Sequence, residues 1–424
     1  MRTLLHYSVA ALASALAFGA PARAEGPELT YAASAAESAL SDENRQEIDQ
    51  YVQHWVDALA SAAETDRITE TCSRLLEGYN KYGSRAGEHH EAYAEAVAKY
   101  GKALLGGKLA ADDSLAALKA VNFAIRIQRM AKVSLQPLAE AMVTNRNPAV
   151  RFFGWRTYAT LRGPILATGG NAAKTMFASV SKAPASESDP FVLSEALNVC
   201  RMSPRPDPAS GVDEVTHNAA QAEFLKALAQ NWKAVCLQVM KVDAAASEAA
   251  LTGVRALRLI KIGLAEQADA KQLLQLVANM AYAAGQAFDR ALQMQEAAAA
   301  AQQATGMASE AEIVDPAEAK KLAEKFGMTL EQLAGAKGDV EQTVSANASL
   351  LAECEVAINV FTGKGEPGER HIRKELSSRG SPVERGAAVR LAILKWIAEL
   401  QKDPGIKAPA DELKSAPATA PATP

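Results

Sequence analysis

Apolar residues recur three and four positions apart through long windows filled with Ala, Leu, Glu, Gln and Lys. No alternating β-branched run bounded by turn residues interrupts them, so the pattern predicts an all-α chain with no β-sheet. Helices are expected over roughly 41–63, 67–82, 88–105, 112–131, 134–144, 148–162, 171–182, 190–202, 214–241, 246–264, 267–303, 316–326, 329–336, 339–361, 369–378 and 382–401. Starts are legible. Asp315-Pro316-Ala317-Glu318 and Ser381-Pro382-Val383-Glu384 each set a capping side chain before a proline at the first helical position, with a Glu placed to reach back. Asn147-Pro148 and Asp189-Pro190 use the same cap and proline, and 166–171 and 182–190 read as loops. The Ala run 297–301 reads as helix-forming filler in preference to a close-packing face. From Asp403 onward, five prolines among Ala, Lys and Thr predict a tail without a packed core.

A length of 424 residues exceeds what one hydrophobic core usually fills, so two domains or a lengthening repeat are expected. The expected organisation is a leader at 1–24, an N-terminal helical region at 25–110, paired helices at 111–205, a long-helix region at 206–402 and the tail at 403–424. The leader rests on Arg2, an apolar stretch from Tyr7 to Ala20, and small residues Ala22 and Ala24 at the −3 and −1 positions of a cleavage site. It implies secretion, most simply into a bacterial periplasm, and its removal takes away Arg2 and Arg23 but no acid, moving the net charge from −4 to −6. No later segment reads as long and apolar enough to span a bilayer, and the absence of a basic block argues against a nucleic-acid partner. Cys72, Cys200, Cys236 and Cys354 lie too far apart for CxxC redox or zinc spacings, and buried free thiols are favoured over disulfides.

Residues 134–162 resemble one HEAT-type helical hairpin: Pro137 in the first helix, Asn147 at the turn, Val150 and Arg151 opening the second helix, then Ala159 and Leu161 in the apolar stripe. Asp189-Pro190-Phe191-Val192 recurs 42 residues after Asn147, within the period of such arrays, although Leu193 replaces the Arg. The resemblance covers about 110–205. It implies antiparallel hairpins stacked as a HEAT-like right-handed superhelix, or α-solenoid, with Pro137 kinking its helix and Arg151 bridging to the neighbouring hairpin's turn. It also implies a protein-binding scaffold. Whether 206–402 continues the repeat is left open.

Motifs for chemistry are weak. Gly363-Lys364-Gly365-Glu366-Pro367-Gly368 spells GxGxxG but follows a helical pattern instead of a strand, and Gly101 to Lys108 mimics a phosphate loop with its lysine out of register. His89-His90-Glu91 with Glu95 lacks the i, i+4 ligand pair that a helical metal site needs and reads as a solvated helix start. His54, His217 and His371 stand alone, Asp112 and Asp113 suit a helix start, and no Gly-x-Ser-x-Gly elbow occurs. No cofactor or metal is therefore expected. Phe152, Phe153, Trp155 and Tyr158 crowd seven residues, and 100° helical steps spread them around the cylinder. Most are expected in the core, while Arg151, Trp155 and Arg156 are the candidate partner-binding residues on a concave face. The leading expectation is a non-catalytic periplasmic scaffold for an envelope protein or peptide. Two alternatives remain: a ligand or enzyme pocket assembled from residues such as His217, Arg201 and Arg205, and a homo-oligomer paired through the apolar stripes of 246–264 and 267–303.

Overall fold

Asp, Asn, Ser and Thr side chains cap more than half of the described α-helices in a computed structural model of the chain. The structure describes residues 26–107, 109, 113–265, 268–307, 315–363, 372–378, 380–403 and 405–414. The expected leader, Asp112, His371 and the Lys364–Gly368 part of the GxGxxG match lie outside these residues. Among the described residues there are α-helices and short 3-10 turns and no strand. The helices divide into two compact units, Met1–Gly101 and Lys102–Pro424, with the division falling late in one helix.

In the first unit, helices α1 (Ala33–Ser38), α2 (Asp42–Ser61), α3 (Thr65–Asn80) and α4 (Gly87–Gly106, ending in the second unit) follow one another. Ser41 caps α2 and exchanges hydrogen bonds with Asn44. Ile48, Tyr51, Val52, Trp55, Val56 and Leu59 then form one buried stripe, at the spacing that keeps a single helical face inward. Gly78 lets α3 approach closely: a Cβ there would stand 2.5 Å from Tyr51 Cε1 and 2.7 Å from the Tyr93 hydroxyl. Both rings are anchored to α3, because Tyr51 donates to the Arg74 carbonyl at 2.9 Å and Tyr93 to the Leu75 carbonyl at 2.7 Å.

His89 and His90 are buried, not solvated as expected. His89 Nε2 donates to the Gly78 carbonyl at 2.9 Å and lies 3.2 Å from that of Tyr79, which leaves Nδ1 to accept from the Tyr31 hydroxyl. Burial, the nearby His90 and Lys81 outweigh these carbonyls and push the imidazole down to about 4. The neutral ring thus ties the extended N-terminal segment, with buried Leu29 and Tyr31, to α3 and α4. Tyr82 adds a bond to the Tyr31 carbonyl at 2.9 Å.

The second unit holds α5 (Ser114–Ile127), α6 (Gln136–Val143), α7 (Pro148–Thr168), α8 (Gly170–Ser186), α9 (Pro190–Val199), α10 (Glu214–Val239), α11 (Ala244–Leu264), α12 (Ala270–Ala304), α13 (Pro316–Lys325), α14 (Leu330–Gly335), α15 (Lys337–Thr362), α16 (Ile372–Leu376), α17 (Pro382–Leu400) and α18 (Pro409–Lys414). Caps at Asp113, Asn147, Asp189, Asp213, Asp243, Asp269 and Asp315 each accept a backbone N–H of the following turn. At Ser381 the expected reciprocal box with Glu384 is present; at Asp315 the cap bonds Ala317 N, one residue before a box would. α6 packs on α7, α7 on α9, α8 on α10, α9 on α11 and α11 on α15, while the 35-residue α12 packs against α15 and α17.

Several expectations change. The expected boundary near 205/206 does not separate compact units, because α8 and α9 bury their apolar faces on α10 and α11 across it. The helix expected to end at 162 runs through Pro164 to Thr168, so the loop at 166–171 shrinks to the Gly169-Gly170 turn, where both glycines have positive φ. Pro137 lies in the first turn of the short α6, where its missing N–H has no helical acceptor to lose and it kinks nothing. The alanine run is not filler: Ala297, Ala298 and Ala301 are buried with Ala323, Leu333 and Ala334, where small side chains bring α12 close to α13 and α14. Contrary to expectation, α15 is long and apolar enough, by length and composition, to cross a membrane. In the fold its Leu350, Leu351, Cys354, Ala357 and Ile358 are buried. The tail does not begin at Asp403, since Ile406 and Leu413 are buried and α18 packs on α12 and α10. All four cysteines are buried thiols.

Candidate functional site: an arginine-lined cleft

Arg151, Trp155 and Arg156 lie on the same helix but have three different environments. Arg151, one turn into α7, is committed internally. Its Nε and Nη2 donate to the two Glu187 carboxylate oxygens at 2.8 and 2.9 Å, and its Nη1 donates to the carbonyls of Asn145 and Arg146 at 3.0 and 2.7 Å. Glu187 in turn accepts from Asp189 N at 2.9 Å, and Asp189 caps α9 through Phe191 N and Val192 N. A planar guanidinium matches a carboxylate fork in this way, and the bond to Glu187 holds Arg151 above its usual range despite burial. The bridge runs from α7 to the segment before α9, a contact of the kind that the resemblance implied. These internal bonds engage all three guanidinium nitrogens of Arg151.

Trp155 is 3% exposed and lies 5.7 Å from the Tyr158 ring, so the expected indole anchor is core. The physical reason is register. Position 155 falls between Val150, Tyr158 and Leu161, all buried, on the face of α7 that packs inward. Arg156, one step round, is exposed, with its guanidinium 5.6 Å from the Phe152 ring centroid and 6.0 Å from that of Phe153.

Arg156 opens onto a cleft of about 640 Å³ lined from α7 by Arg156, Ala159, Thr160 and Arg162, from α9 by Glu195 and Asn198, from the segment after α9 by Arg201, Met202 and Ser203, and by Gln128 and Leu259. Arg162 Nη1 donates to the carbonyls of Val199 at 2.8 Å and Asn198 at 3.3 Å, closing the C-terminal end of α9. Burial lowers the Arg162 guanidinium and the like charge of Arg201 adds to this, yet an arginine starts so far above neutrality that it stays a cation. Burial also raises Glu195, against the opposing pull of Arg156 and a bond from Asn198.

The other expected constellation does not converge. Arg201 lines the cleft, but His217 is 3% exposed and donates to the Ser203 carbonyl at 3.0 Å, beside Gln221, which bonds the same oxygen at 3.0 Å. His217 therefore holds the 201–205 segment from behind and bonds the backbone oxygen of Ser203, not its hydroxyl. Arg205 is exposed and is not among the lining residues. Among the described residues no three His, Cys, Asp or Glu side chains gather as metal ligands. Arg162, Glu195 and Asn198 were missed from the sequence, where they carry no motif; only the packing of α7 on α9 makes them neighbours.

No protein-family model matches the chain, and none of the curated proteins does. Among solved structures, an engineered protein aligns over 86% of this chain and 93% of its own at 15% identity, with a TM-score of 0.25, too low a likeness to carry an argument.

Proposed function

We propose that this chain is a secreted, periplasmic, HEAT-like helical-repeat protein that acts as a protein-interaction scaffold without catalysis, and that an envelope protein or peptide docks at the cleft of α7 and α9. The observation that supports this reading is the exposed Arg156, its guanidinium near the Phe152 and Phe153 rings, among the residues that line an open cleft. Arginine beside aromatic side chains is the composition of binding hot spots. Phe191, 45% exposed on α9, adds apolar surface to the same pair of helices.

The test is cross-linked capture from an envelope extract on the full chain and on its Arg156→Glu variant. Arg156 makes no buried contact, so the variant should keep the wild-type circular dichroism. A stoichiometric partner captured by the wild type and lost by the variant is the expected result; equal capture by both overturns the assignment of this surface. A second reading, a small-ligand binder, is favoured by the cleft volume, which falls in the roughly 300–1,000 Å³ range of small-molecule sites.

A further inference from the structure

We propose that the cleft between α7 and α9 is a binding site for a phosphoryl group, held by Arg156, Arg162 and Arg201. This deepens the reading of the cleft as a recognition surface and rests on it, and it names the chemistry that the cleft recognises.

Three guanidinium groups face one carboxylate, Glu195, in a concavity. The local balance is a net charge of +2, reduced by about half a charge by the C-terminal end of α9. This sits in a chain of net charge −4, so the cleft is a local inversion of sign that draws in anions. Among the described residues no carboxylate is ion-paired with Arg156, Arg162 or Arg201, in contrast to Arg151, whose charge Glu187 satisfies in full.

The donors are suited to an oxyanion. Arg162 spends Nη1 on the α9 carbonyls and keeps Nε and Nη2. Those two bonds also fix its side chain, so less conformational entropy is lost when an anion binds. Arg156 lies near the Phe152 and Phe153 rings, and no protein acceptor among the described residues takes its N–H groups. Arg201 comes from the segment after α9, so donors converge from two walls.

A dianion with three terminal oxygens can accept from both walls and offsets the whole excess charge. A single carboxylate presents two oxygens along one edge, so it reaches one wall only, and leaves about half a charge uncompensated. The volume of about 640 Å³ exceeds a bare phosphate, and Ala159, Met202 and Leu259 supply apolar wall for an organic moiety attached to it.

The test is calorimetric titration of the full chain in chloride buffer near pH 7.5 with inorganic phosphate, with acetate as the monoanion control. Phosphate should bind, and acetate should bind at least about tenfold more weakly. Arg156→Gln and Arg201→Gln, both at exposed positions, should each weaken phosphate about tenfold or more. Glu195→Gln should tighten it severalfold by removing a like charge, a gain that a merely structural role for Glu195 would not give. A phosphoserine peptide that binds more tightly than inorganic phosphate places the group on a protein partner; equal or weaker binding makes the ligand a free anion. Absence of phosphate binding, or binding unchanged in both arginine variants, overturns the proposal. If phosphate fails while Arg156→Glu still abolishes partner capture, the phosphoryl chemistry falls and the scaffold reading stands; if both fail, the cleft is no recognition site.

Discussion

Acidification should loosen the first unit through His89 in particular. The folded imidazole titrates near 4 because burial, with the charges of His90 and Lys81, outweighs its bonds to the α3 carbonyls, whereas in the unfolded chain it titrates near 6.5. Below pH 6.5 the unfolded chain therefore takes up a proton that the folded chain refuses. The contribution of His89 is whole above pH 6.5 and is lost progressively as pH falls toward 4. At 1.36 kcal/mol per unit, the descent from pH 7 to 4.5 removes about 2 kcal/mol. Protonation also forces Nδ1 to become a donor, which opposes its bond from Tyr31 and so frees the N-terminal segment. The assay is hydrogen exchange of peptides spanning 66–100, with protection referred to the intrinsic rate at each pH, in wild type and His89→Gln. The variant can still donate and accept but does not titrate. Wild type should lose about 2 kcal/mol more opening free energy than the variant over this range. Parallel losses in the two proteins would refute the assignment to His89.

Three further outcomes follow from packing and burial. Gly78→Ala should destabilise by about 1–3 kcal/mol, because its Cβ would press on Tyr51 and Tyr93, while Gly338→Ala in the first turn of α15, where a Cβ meets no neighbouring element within 4 Å, should stabilise by up to about 1 kcal/mol; urea unfolding of both variants checks the opposite signs. Arg151→Ala should cost about 3–5 kcal/mol by stranding the buried Glu187 carboxylate, and Arg151→Ala with Glu187→Gln should recover part of that loss in a double-mutant cycle. The thiols should be inert to a thiol reagent in the native protein and all react on denaturation. All four are buried, and burial, against the opposing charge of Arg162, pushes Cys200 up to about 12.

Local structure was legible where the chain encodes it locally. The caps at Asn147, Asp189, Asp315 and Ser381 were readable because each is a side chain acting within one turn, and the helices begin there. The errors arose where distant residues decide. His89 and His90 read as polar, but Tyr31 lies 58 positions from His89 in sequence and supplies the partner that lets the ring be buried. The alanines at 297–301 have the same composition whether they face water or Ala323. Residues 405–414 look like an extension until Ile406 and Leu413 find α10 and α12.

By itself, the sequence determined the helical class and many of the helix starts, because periodicity and capping act over a few residues. Tertiary structure alone decided that Trp155 is core while Arg156 faces a cleft, and that Arg162, Glu195 and Arg201 share it. One step along α7 turns a side chain by 100°, and which direction is inward depends on where α9 packs, which no spacing within α7 records.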